Sequence, residues 1–169
     1  MTGRVEQVNT SPGGVPKRAV AGAEVGRLGL VGDAVKHTKI HGGPERAVCL
    51  WSQERILALQ EEGHPVFPGA VGENLTLSGL DWARLGEGDR LDVGTGGLRL
   101  RLTRPTTHCK TIAPYFAGQR FKRIGHDRHP GWSRWYAAVE HNGPVAPGDA
   151  VVWTAAPEVS VEAEPNNPV

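Results

Sequence analysis

Cysteine is scarce in this sequence: Cys49 and Cys109 are the only two, far apart and in unlike surroundings. That excludes a disulfide-stapled framework, and the lack of any Cys-x-x-Cys pair removes the commonest zinc signature. Long apolar runs are missing too. No stretch approaches the length of a transmembrane helix, and Met1-Thr2-Gly3-Arg4-Val5 holds no targeting core. The expectation is a cytoplasmic protein with no membrane partner. Charge of one sign is also absent: 19 Lys and Arg stand against 18 Asp and Glu, a net +1. A nucleic-acid binder held by a basic face is thereby excluded, while a local pocket for an anion is not.

Glycine and proline, by contrast, are plentiful. The 23 glycines and 13 prolines are spread along the 169 residues as turn punctuation, which points to many short strands in one domain. Strands are expected at Arg4–Val8, Lys17–Val20, Ala23–Leu28, Ala47–Trp51, from near Glu73, at Arg90–Val93, Leu98–Thr103, Trp135–Val139 and Ala150–Trp153. One sizeable helix is expected at Gln53–Glu62, capped by Ser52, stopped by Gly63 and buried through Ile56, Leu57 and Leu59. Thr111–Ala117 reads as a short helix, and Asp81–Leu85 as one turn at most. The fold class is therefore mainly β (α+β): a β-barrel with one sizeable helix and one or two short ones, its site loops clustered at one end. Residues 1–154 form the domain. Ala155–Val169, acidic and rich in Pro and Asn, is expected to be a disordered tail.

Three stretches carry chemistry. In the first, Leu98, Leu100 and Leu102 alternate along a strand that runs into Pro105, which supplies no N–H and holds Arg104 extended. Thr106, Thr107 and His108 then lead to Cys109 beside the start of the short helix. A helix start and nearby cations lower a thiol pKa, so Cys109 reads either as a thiolate or as a small buried hydrophobe. Cys49, inside the apolar run Ala47–Trp51, reads as packing. The second stretch, His37 to Arg46, sets Lys39, His41 and Arg46 around Gly42-Gly43-Pro44. Paired glycines expose backbone N–H groups and form anion-binding nests, although a solvated hairpin loop would look similar. In the third, Glu73 and Asn74 leave a glycine-flanked loop; Asn74 suits the edge of a heterocycle and equally a turn cap. The cationic segment Gly118–Arg134, with Arg120, Lys122, Arg123 and Arg128, is either a solvated mobile loop or a lid over an anionic ligand. A zinc site from His37, His41, His108 and Cys109 is possible by residue type, but its spacing is not diagnostic.

Four segments, in order, carry a resemblance: His41-Gly42-Gly43-Pro44-Glu45-Arg46-Ala47-Val48, Gly69-Ala70-Val71-Gly72-Glu73-Asn74-Leu75-Thr76, Gly88-Asp89-Arg90-Leu91 and Arg104-Pro105-Thr106-Thr107-His108-Cys109. The chain resembles the MOSC domain family, and most nearly its small bacterial, YiiM-like members, over roughly Gly3 to Trp153. The resemblance implies a barrel that holds a molybdenum cofactor of the molybdopterin type, with Cys109 as the reactive thiol and molybdenum ligand. It implies an oxidoreductase that reduces N-hydroxylated small molecules with electrons from a separate partner protein. Other members were proposed to act as sulfur carriers on the same cysteine, which would need a sulfur donor; a non-catalytic binding module is the third reading. Carried onto this sequence, Cys109 and His108 are the catalytic candidates. Lys39, His41, Gly42, Gly43, Arg46 and Arg104 are the anion contacts, and Asn74 and Thr107 the polar contacts to the pterin. The chain departs from the YiiM-like pattern in having His108 before the cysteine, where proline is usual, and Thr106 where arginine is expected.

Overall fold

The computed structural model describes residues 1–34 and 42–157. Lys39 and His41 lie outside the described residues, as does the expected tail from residue 158 onward. Seven strands close a barrel. Strand β1 (Thr2–Thr10) pairs with β6 (Leu75–Ser78) on one side and β11 (Ala150–Thr154) on the other. From β11 the ring continues through β7 (Arg90–Val93), β8 (Leu98–Pro105), β9 (Trp135–His141) and β5 (Val48–Ser52) back to β6. A short β2 (Arg18–Val20) extends β1 outside the ring. A separate small sheet joins β10 (Gly143–Val145), β3 (Ala23–Gly26) and β4 (Gly29–Leu30).

Every pairing in the ring is antiparallel except β5 with β6. Parallel neighbours need a crossover, and the helix α1 (Gln53–Glu61) lies within that connection. The caps form as expected. Ser52 Oγ accepts the Arg55 N–H at 3.3 Å and donates to Glu54 Oε2 at 2.7 Å. At the far end the Gly63 N–H reaches Gln60 O and the His64 N–H reaches Leu59 O, with Gly63 at φ 88. This pair of bonds is the Schellman arrangement, which needs the left-handed conformation glycine adopts freely. Ser52→Ala is expected to cost about 1 kcal/mol in a urea unfolding curve, the usual loss of a cap. The expected buried face needs one correction. Ile56 and Leu59 are buried, but Leu57 is 49% exposed, because one residue along a helix turns about 100° away from the stripe.

In β8 the leucines at 98, 100 and 102 are buried, and Leu98 and Leu100 face Val93 and Leu91 across the β7 pairing. β1 alternates imperfectly because a bulge between Val5 and Gln7 adds a residue against β6, so that Val5 and Val8 both turn inward. The expected short helix at Thr111–Ala117 is a 3-10 segment, Lys110–Tyr115. Pro114 inside it cannot donate the hydrogen bond an α-helix would require. Two more 3-10 turns follow at Ala117–Gln119 and Phe121–Ile124. Among the described residues no helix is long and apolar enough to cross a membrane.

Candidate functional site

Strands β5, β9 and β8 lie side by side, and their register sets Cys49 opposite Tyr136 and Tyr136 opposite Arg104. Laterally paired residues share a face, so these three side chains form a row across the sheet. A register shift between Leu102 and Arg104 marks a bulge at the end of β8, a common device for re-aiming a strand next to a site. Within it, Thr103 Oγ1 lies 2.7 Å from Glu45 O and 3.1 Å from Tyr136 O. That hydroxyl ties the 3-10 turn Pro44–Arg46 to the barrel. Gly43 opens the turn at φ 98, with open space where a side chain would project. The Arg46 guanidinium sits 6.0 Å from the centre of the Tyr136 ring. Burial pushes the Tyr136 hydroxyl up to about 12, against the pull of Arg134, Arg46 and Arg104. Arg46 and Arg104 thus converge on one tyrosine. Arg104 itself is exposed.

The loop that follows is clamped from behind. Arg134 is buried, 6% exposed. Its Nη1 donates to Val71 O and its Nη2 to Thr107 O at 3.4 Å, while its own carbonyl accepts the Thr106 N–H at 2.9 Å. Two indoles fix the approach to it: Trp51 Nε1 donates to Trp132 O at 3.0 Å and Trp82 Nε1 to Ser133 O at 2.8 Å. The cationic segment is therefore not wholly a solvated loop; its last arginine is an internal brace.

Cys109 is half-buried at the end of this loop. Its thiol is held below the ordinary value by hydrogen bonds from the Thr111 side chain and backbone, aided by the charge of Arg134 and opposed by partial burial. A lowered thiol is one of the two readings expected for Cys109, from a helix start and from nearby cations, and Arg134 supplies the charge. The larger cause is not a helix start: the segment after Cys109 is a short 3-10 stretch, and local hydrogen bonds to sulfur do the work. His108, half-exposed, meets the Phe121 ring at 5.7 Å between centroids. Thr106 is buried and Thr107 exposed.

Behind the site lies a buried polar layer. Asn74 Oδ1 accepts the Cys49 N–H at 3.0 Å, and its Nδ2 donates to Asp33 Oδ2 at 2.9 Å and Asn9 O at 3.3 Å. The donors and acceptor expected to read a heterocycle are engaged inside the protein. Asp33 also receives Lys17 Nζ at 2.6 and 2.7 Å and the Ser11 N–H at 2.9 Å. Glu73 Oε1 accepts from the Gly69 N–H at 2.6 Å and Thr76 Oγ1 at 3.2 Å. Glu73 Oε2 and Arg134 Nε are buried with no hydrogen-bond partner among the described residues. Burial raises the Glu73 carboxyl to about 7 and the Cys49 thiol to about 11. Cys49 is thus a poor nucleophile, and Cys109 is the more readily ionised thiol of the pair.

The sequence singles out Cys109, His108, Thr107, Arg104, Arg46 and the Gly42-Gly43 turn as candidates. It offers Arg134 only as one cation of a mobile segment and does not single out Tyr136 or the Lys17–Asp33 pair. The one available signal for Arg134 was its place between Trp132 and Trp135 at the start of a strand. Among the described residues no group of three or more His, Cys, Asp or Glu stands ready to hold a metal ion. Two members of the zinc alternative, His37 and His41, lie outside the described residues. A thiol of lowered pKa within the influence of the Arg134 charge suits a metal complex that is anionic and brings its remaining ligands itself.

A sequence profile of the MOSC domain matches residues 37–152. The uncharacterized protein YflK of Bacillus subtilis (strain 168) is 30% identical over 139 residues, covering 80% of this chain and 60% of YflK. YiiM of Escherichia coli (strain K12) is 31% identical over 93 residues, covering 53% of this chain and 41% of YiiM. The chain thus spans less than two thirds of either relative. Among solved structures, YiiM from Geobacillus stearothermophilus superposes with a TM-score of 0.70 at 24% identity, over 90% of this chain and 75% of that one. YUAD from Bacillus subtilis superposes with a TM-score of 0.72 at 19% identity, over 92% and 98%. These likenesses establish the fold.

Proposed function

The chain belongs to the MOSC domain family, and from that premise we propose that it is a cytoplasmic oxidoreductase that binds molybdenum cofactor and reduces N-hydroxylated small molecules. What carries the reading is Cys109: a half-exposed thiol of lowered pKa on a braced loop, in a chain whose other cysteine is buried and inert. A thiolate is the form that binds a soft metal. Cys109 supplies that ligand. Arg46 and Arg104, with Lys39, His41 and the Gly42-Gly43 turn, hold the anionic end of the pterin, and Thr107 gives it a polar contact. Asn74 acts from behind by fixing the strand that carries Cys49. His108, next to Cys109 in sequence, hands a proton to the departing oxygen. When bound, the cofactor would supply the two electrons that, with two protons, convert an N–OH group to N–H and water. Electrons reach it from a separate partner protein.

The same lowered thiol also suits a persulfide, so the sulfur-carrier reading is tested in the same experiment. The protein and its Cys109→Ala variant are purified anaerobically from a host that makes molybdenum cofactor, and metal content and intact mass are measured. Near-stoichiometric molybdenum in the wild type and none in the variant is the expected result. A reducible adduct of sulfur mass on Cys109 without molybdenum would overturn it in favour of the carrier. Neither metal nor adduct would leave the non-catalytic binding module.

A further inference from the structure

The cationic segment Gly118–Arg134 is only partly accounted for by Arg134. Its middle portion walls a second cavity of about 520 Å3, bordered by Gln119, Arg120, Lys122, Arg123, Arg128 and, from the end of α1, Glu62. That volume is in the range of small-molecule sites. Its charge is unbalanced. Glu62 is the one carboxylate on the wall, and Arg123 occupies it through two bonds, Nε to Oε2 at 2.9 Å and Nη2 to Oε1 at 2.6 Å, while lying 3.7 Å over the Trp132 ring. His64, also on the wall, accepts the Ala117 N–H on Nδ1 at 3.1 Å, and burial lowers its pKa. It adds no charge at neutral pH.

Three cations remain. Arg120 spends Nε on a backbone carbonyl, Ala117 O, at 3.2 Å. The side chains of Lys122 and Arg128 have neither hydrogen bond nor ion pair among the described residues. Asp127 is adjacent in sequence but does not border the cavity; its carboxylate lies beside Gly125, as does the His108 ring. Like charges around one hollow repel unless an anion sits among them. A second feature points the same way. Gln119 has φ 56 and is the one non-glycine residue with positive φ among the described residues. Backbone strain of this kind clusters at ligand sites, and here it sets an amide donor on the wall of the hollow.

We propose that this cavity binds the oxyanion group, phosphate or carboxylate, of a small molecule, with Arg120, Lys122 and Arg128 as its charged contacts and the Gln119 amide as a neutral one. The site is distinct from the Cys109 loop yet touches it: Phe121 borders the cavity and also meets the His108 ring. It stands independently of the molybdenum reading, which metal content reports separately.

The test is isothermal titration of the full chain at fixed ionic strength with inorganic pyrophosphate and, separately, with citrate. Saturable binding is expected, weakened about tenfold or more in Lys122→Ala/Arg128→Ala, since two charge-assisted bonds are lost. Arg128→Glu alone should weaken it as well, and Arg18→Ala, at an exposed arginine outside the cavity wall, should leave it unchanged. A preference for pyrophosphate assigns the phosphate source, and a preference for citrate the carboxylate. Both substituted side chains are exposed, so thermal unfolding should be unaltered. Absence of saturable binding for both probes would overturn the proposal. So would binding that disappears in Arg104→Ala and survives in the double variant.

Discussion

Replacing Arg134 with alanine is expected to cost about 3 kcal/mol of stability, the scale of removing a buried guanidinium and leaving two carbonyls, one of them buried, without donors. The carbonyls are those of Val71 and Thr107, which now accept from the two Nη atoms. The same change should raise the pKa of Cys109, because the Arg134 charge is one of the influences holding that thiol down. Both effects can be read on one protein. Urea unfolding gives the stability. The pH profile of alkylation gives the thiol, and it reports Cys109 selectively because Cys49 is buried with its pKa pushed to about 11. Arg134→Lys separates the two roles. It restores the charge but not the planar fork that spans two carbonyls, so it should recover the thiol and not the stability. An alkylation profile unmoved in Arg134→Ala would mean that the Thr111 hydrogen bonds set the Cys109 pKa alone.

What sequence could reveal here was decided by the range of each interaction. The alternation of Leu98, Leu100 and Leu102, the Ser52 cap and the Gly63 stop depend on residues within one element, and all were legible. Cys109 was conspicuous for a local reason as well, since a strand halted by Pro105 has to deliver its next residues to a loop. Arg134 acts on Val71 and Thr107, 63 and 27 positions away. Apart from the tryptophans on either side, nothing in its own neighbourhood distinguishes it from the other arginines of the segment. The Lys17–Asp33 pair hides in the same way, its members 16 positions apart, and Asn74 reaches back 65 positions to Asn9. Ring closure joins the first strand to the last, β1 to β11, a pairing that no local period encodes. The bulge in β1 shows the reverse failure, a local pattern blurred by a partner strand: Val5 and Val8 share the interior only because β6 absorbs an extra residue between them.

Glu73→Gln is expected to remove a pH-dependent share of stability on the order of 3 kcal/mol, the worth of a carboxyl shifted by about two to three units. Burial raises Glu73 from 4.5 to about 7 in the folded protein. Between those values the folded state holds a proton that the unfolded chain has released. The contribution is therefore complete below about 4.5 and is lost as pH rises through about 7. The variant, unable to ionise, should show no such decline. Other groups complicate a single curve. His64, its pKa lowered by burial, contributes the opposite slope below its ordinary value of 6.5, whereas Glu62 and Glu140, both lowered by arginine partners, act only below 4.5. The informative quantity is therefore the difference between wild type and variant in urea midpoint, followed from about pH 5 to about pH 8. It should widen in the variant's favour toward the alkaline end. A flat difference would mean that Glu73 is ionised throughout, with Arg134 compensating its burial. In that case the buried carboxylate and guanidinium act as one unit behind the Cys109 loop, and Arg134→Ala and Glu73→Gln should combine to cost less than the sum of their separate effects.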